Sequence, residues 1–146
     1  MSEKNHGSES AYQDFIEAVK LNDIITRKIK LESYIDFTDQ DYSGKLNFNL
    51  PEADYKIYDK QSFKYIIEVD IEGELDNSED RAFVIEMIFE IDYTLDGELE
   101  VDEEYVSKFS KNAIFNTWPY IRETIDNLSY RMGVSLPRLP LLKSNF

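Results

Sequence analysis

The run Asp39-Gln40-Asp41-Tyr42-Ser43-Gly44 sets oxygen side chains at the first, third and fifth positions of a calcium-type loop, with glycine at the sixth. The twelfth position is Leu50, where such a loop needs a bidentate Glu, and both flanks read as strands instead of helices. A polar turn is the better reading. His6, the one histidine, lies among polar residues near the chain start and has no second ligand or relay partner. No cysteine is present, which removes disulfides, thiolate zinc sites and thiol nucleophiles. Carboxylates are abundant, but those in mid-chain alternate along extended segments, as a row on a wet face does, with no phosphate-binding loop or histidine to share a pocket. Asn127-Leu128-Ser129 matches a glycosylation pattern but falls inside a helical period, where it carries no meaning. These residues predict no catalysis, no metal and no cofactor.

The alternating rows are more informative as a surface. Ile66, Val84 and Ile88 fall among Glu68, Asp70, Glu86 and Glu90 on the outward side, and apolar spots ringed by one sign of charge suit docking of a basic protein. A formal charge of -14 and a pI near 4.4 argue against nucleic acid and against anionic membrane surfaces, both of which call for Lys and Arg. No apolar run approaches the roughly 20 residues of a membrane span, and the start MSEKNHGSES lacks the apolar region of a secretory signal, so the expected location is cytoplasmic.

The elements that must position these residues follow from periodicity. Residues 1–9 read as a flexible tail and residues 10–146 as a single domain. Ser10 and Gln13 form a capping-box pattern before Phe15, Ile16 and Val19, predicting a short helix that ends near Leu21. From Ile24 to Phe37, apolar Ile25, Ile29, Leu31, Ile35 and Phe37 alternate with polar residues, which predicts a half-buried strand. Leu46, Phe48 and Leu50 make a short strand ended by Pro51; Tyr55, Ile57 and Tyr58 then lie in a connection without clear period. Two further strands, from Phe63 to Leu75 and from Arg81 to Leu95, alternate cleanly and are joined through 76–80 as a hairpin. Asp102 opens a short helix that leads into the main one. There Ile114, Trp118, Ile121, Ile125, Leu128 and Met132 fall on one stripe, Pro119 predicts a kink or a fresh start, and Gly133, Pro137 and Pro140 prevent continuation. The fold class is α+β: an antiparallel sheet of about four strands, one face packed by the long helix and the other acidic and exposed.

Two stretches resemble the SecB-type protein-export chaperones. Trp118-Pro119-Tyr120-Ile121-Arg122-Glu123, followed by an apolar helix, Arg131, Gly133 and a Pro/Leu-rich exit, is similar to that family's aromatic-Pro-Tyr-x-Arg-Glu segment, and Ala82-Phe83-Val84-Ile85-Glu86 to its Ala-Phe-Leu-x-Glu strand. The resemblance spans Phe15 to Lys143 and is weak in the loops. It implies an ATP-independent holdase for unfolded or precursor polypeptides, serving Sec-dependent export. Extended clients would lie in grooves between the helix and the crossover, lined by Leu46, Phe48, Tyr55, Tyr58 and Trp118. It also implies a homotetramer, a dimer of dimers, and the helix face carrying Ala113, Thr117, Tyr120, Thr124 and Asn127 offers small and polar groups for helix-to-helix contact. Docking of the basic tail of a SecA-type motor would fall on Asp23, Val84 and Glu86. Two departures stand out: Arg27 occupies the family's second acidic position after the Asp-Ile pair, and the chain stops at Phe146 where the family continues into a lid helix. The alternatives are a SecB-like protein dedicated to one client, such as an antitoxin, and a small-ligand-binding domain on the same shell.

Overall fold

The computed structural model describes residues 2–34, 44–48, 51–75 and 81–132. The calcium-like run, the 76–80 hairpin link and the Gly133 to Pro140 exit fall outside these, apart from Gly44. The elements are α1 (Ser2–Ala18), β1 (Val19–Ser33), β2 (Gly44–Phe48), β3 (Glu52–Ile57), β4 (Ser62–Leu75), β5 (Arg81–Leu95) and α2 (Glu103–Met132).

β4 and β5 form the centre of an antiparallel sheet in which β1 flanks β5, while β2 and β3 both pair with the other edge of β4. Register sets Phe63 against Tyr93, Ile67 against Phe89 and Ile71 against Ile85, all on one face and all buried, as the period-2 pattern predicts. Gly73 lies opposite Phe83 in the same ladder, and a Cβ there would collide with the Phe83 ring. Only glycine admits that approach.

The sheet has five strands instead of about four. The stretch expected as a connection at Tyr55 and Ile57 is a strand: Ala53, Tyr55 and Ile57 alternate with Glu52, Asp54 and Lys56 and pair with Ile67, Tyr65 and Phe63 of β4. Its signal is faint because the strand is 6 residues long and half of its side chains are charged. Pro51, lacking an amide hydrogen, separates β3 from β2 along the same edge.

β1 also departs from expectation. It starts at Val19, and register shifts between Leu21 and Asp23 and between Thr26 and Lys28 each reset the alternation. Leu21, Ile24, Thr26, Ile29 and Leu31 therefore lie opposite Tyr93, Ile91, Phe89, Met87 and Ile85, on the core side, whereas Ile25 lies opposite Glu90 on the outer side. α1 runs from Ser2, so positions expected as a tail are helical, and it stops at Ala18 because β-branched Val19 enters the ladder opposite Leu95.

α2 is one continuous helix of 30 residues. Asp102 caps it, its Oδ1 accepting from the Glu104 amide at 2.9 Å and its carbonyl from the Val106 amide at 2.9 Å. Glu103 and Glu104 in the first turn and Arg131 in the last match the helix dipole. Pro119 neither restarts nor ends the helix: it deprives the Phe115 carbonyl of its helical partner on the exposed side of α2. Ile114, Trp118, Ile121 and Ile125 are buried against the sheet and Leu128 is half-buried.

Candidate functional site: apolar surfaces flanking the long helix

α2 stands over β3, β4 and β5, with its closest approach to β3. Ala113 and Thr117 are fully buried on the sheet-facing side, where small side chains let the helix backbone come close; Thr117 Oγ1 donates to the Ala113 carbonyl at 2.8 Å. Neither is available to a second subunit, which corrects their assignment to an oligomer face. The structure does bring Tyr120, Thr124 and Asn127 together. With Thr26, Ile29 and Leu128 they line an open groove of about 440 Å³ between α2 and β1. Ile29 is 47% exposed and Tyr120 47% exposed, because the helix is set away from β1 and leaves this part of the strand's inner side uncovered, while Ile24 and Leu31 on the same side stay half-buried against the core. A second groove of about 330 Å³, past Leu21 and Phe115, lies nearer the start of α2. Sequence reasoning missed Leu21, Ile29 and Phe115 as surface residues. Phe115 had a signal, one step off the apolar stripe, but the β1 residues had none, since bulges leave no mark in composition.

On the other flank of α2, the five residues expected to line a client groove divide. Leu46 and Phe48 are half-buried on β2, and the Phe48 ring packs 5.1 Å from that of Trp118, which is 2% exposed and forms the floor. Tyr55 is exposed on β3, its hydroxyl donating to Glu103 Oε1 at 2.9 Å; that hydrogen bond, with partial desolvation and the carboxylate's charge, raises the phenol above its ordinary range. Ile57 is exposed beside it on the same face. Tyr58 is on the opposite side of the sheet, because strand alternation turns it over, and its ring lies 5.2 Å from Lys64 Nζ and 5.8 Å from Lys56 Nζ. It does not belong to this groove.

The outer face is less uniformly acidic than its sequence implies. Lys28 Nζ meets Glu86 at 3.1 Å, Arg27 Nε meets Glu90 at 2.8 Å and Lys64 Nζ meets Glu90 at 3.1 Å. Hydrogen bonds from Arg27 and then Lys64 hold the Glu90 carboxyl below its ordinary range, and bonds with Tyr58 and then Glu90 raise Lys64. Of the trio expected to dock a motor, Asp23 is opposite Asp92, whereas Val84 and Glu86 sit six to eight residues along β5. At about 3.3 Å per residue that is roughly 20 Å or more from Asp23. Glu68 and Asp70 on β4 remain exposed.

Among the described residues no group of three His, Cys, Asp or Glu is placed to hold a metal, and no buried side-chain nitrogen or oxygen lacks a partner. No helix there is long and apolar enough to cross a membrane.

Neither a protein-family profile nor a curated protein matches the sequence. Solved structures do match the fold. One is the Mycobacterium tuberculosis SecB-like chaperone Rv1957, in complex with a ChAD peptide from the HigA1 antitoxin: the TM-score is 0.75 at 16% identity, covering 92% of this chain and 97% of that one. The chain has the SecB-like fold, an antiparallel sheet of five strands with a long helix after it.

Proposed function

We propose that this protein is an ATP-independent holdase that binds unfolded polypeptide and catalyses no reaction. The observation that carries this is the exposed apolar pair Tyr55 and Ile57 on the flank of α2 that also holds half-buried Leu46 and Phe48, on a SecB-like fold. Exposed aromatic and aliphatic side chains suit varied clients, because burial at about 25 cal/mol per Å² does not read sequence. Phe48, Leu46 and Tyr55 contact the client, with Trp118 as a rigid floor beneath Phe48. A homotetramer is the expected assembly, formed through the uncovered side of β1 and Tyr120, Thr124 and Asn127, and its working compartment is the cytoplasm.

Two pathways fit a holdase of this shape. Service to Sec-dependent export requires docking of a SecA-type motor at Asp23, Val84 and Glu86. The separation of Asp23 from the other two, and the pairing of Glu86 with Lys28, favour instead a dedicated client such as an antitoxin, the class of peptide bound by the Mycobacterium neighbour. Aggregation of several unrelated unfolded enzymes, and of one unstable antitoxin, should be followed with and without the protein in the absence of nucleotide. Protection of all supports a general holdase, and protection of the antitoxin alone supports the dedicated reading. Protection of none overturns both.

A further inference from the structure

The two grooves beside β1 share no lining residue and differ in charge: the one towards the end of α2 includes Glu123 and Arg131. The other, of about 330 Å³, is bounded by α1, β1 and α2, and none of its eight described lining residues carries a charge, in a chain where 32% of residues do. Its floor is Tyr93 and Phe109, both buried, with their rings edge-on at 5.4 Å. Leu21 and Phe115 form the rim. Leu21 lies opposite Tyr93 on the core side of the sheet and is still 41% exposed, and Phe115 is 44% exposed. Burial pushes the Tyr93 phenol up, against a smaller opposing effect of its hydrogen bond with Asn116, so the floor is neutral as well.

Two carboxamides supply the polar edge of this groove. Asn112 and Asn116 are both exposed and stand one turn apart on α2, about 6 Å along its axis. Asn116 Nδ2 donates to the Tyr93 hydroxyl at 2.9 Å, which orients its amide, and a carboxamide has a second N–H and a carbonyl oxygen beyond that bond. Extended polypeptide repeats every two residues, at about 6.6 Å, so its peptide groups come close to the spacing of the two asparagines. An apolar hollow between Leu21 and Phe115, edged by amides at that spacing, fits one large side chain together with its own main chain. A charged side chain would find nothing in this lining to offset its loss of water. A second copy of the chain is a poor occupant, since a stable interface takes about 20–30 residues a side and this groove offers eight.

We propose that this groove is a further client subsite, which takes an uncharged, extended stretch of polypeptide with a large apolar side chain seated between Leu21 and Phe115. This rests on the holdase reading. The groove is on the flank of α2 away from Tyr55 and Ile57, so a long client has two separate points of attachment, and two weak sites engaged by one chain hold it more tightly than either alone.

Two measurements on the full chain test it, with a permanently unfolded protein as the client. The sequence has no cysteine, so Asn112→Cys and, separately, Tyr55→Cys each give a single thiol to carry a benzophenone. On irradiation the label at 112 should capture the client at uncharged stretches that contain a large apolar residue. Capture by the label at 55 alone overturns the subsite and leaves the holdase reading standing, capture of a second copy at 112 overturns the choice of occupant, and capture by neither overturns the holdase reading itself. Phe115→Asp, with Phe115→Ser as the milder variant should Asp disturb the fold, should weaken client binding about tenfold while circular dichroism and light scattering match wild type, because the exposed part of that ring is the area a client covers. Client affinity equal to wild type overturns the subsite.

Discussion

At Glu90 three strands share one carboxylate: β5 supplies it, Arg27 reaches it from β1 and Lys64 from β4. Its folded pKa lies below its unfolded one, so the stabilisation is fully present above about pH 4.3 and is lost as pH falls through the folded value. Glu90→Gln should cost no more than about 1 kcal/mol near neutral pH, since Arg27 is largely solvated and the pair is screened. The difference from wild type should narrow as pH approaches about 3. Urea unfolding of both proteins across that range is the measurement, and a gap that does not change with pH means that the charges contribute nothing. Glu90 was legible in the sequence as an outward-facing acid, but its cations were not, because pairing across strands depends on register. Ala113 and Thr117 show the same limit in a helix. Their size suggested helix-to-helix contact, whereas both are buried within the chain's own core, a tertiary fact.

Among the elements, α2, β4 and β5 were readable because a clear period runs along most of each, the one register shift of the β4–β5 ladder falling at its end, at Gly73 and Glu74. β1 was not, since two bulges reset its phase while its composition still reads as a strand. Pro119 illustrates a milder conflict between local preference and tertiary packing. Its missing amide hydrogen and ring cost the helix, yet the buried stripe on both sides of it holds α2 continuous. Pro119→Ala should therefore raise stability by about 1 to 3 kcal/mol, seen as a higher urea midpoint with an unchanged slope. A lower midpoint would show that Pro119 limits the unfolded chain more than it strains the folded one.

For the whole molecule, the sheet and the helix were evident before the structure, but which surfaces stay open was not, because openness depends on where α2 sits across the sheet. Ile29 tests the assembly that this offset invites. If the uncovered side of β1 seats another subunit, Ile29→Glu should shift the protein towards monomer in light scattering while circular dichroism stays native, as nearly half of the side chain is already solvated. A wild-type monomer at micromolar concentration removes the assembly.

On the holdase reading proposed above, the two bulges in β1 bear on a hazard particular to proteins that spend their time beside unfolded chains. A 15-residue edge strand, were it flat, would present a long uninterrupted row of amides and carbonyls on which a sticky segment could stack and then recruit others, in the manner of fibril growth. β1 breaks that row at Asn22 and again at Arg27, and each break increases the local twist. A foreign strand finds only short matching stretches. The edge that the bulges interrupt is thereby a poor nucleus for amyloid.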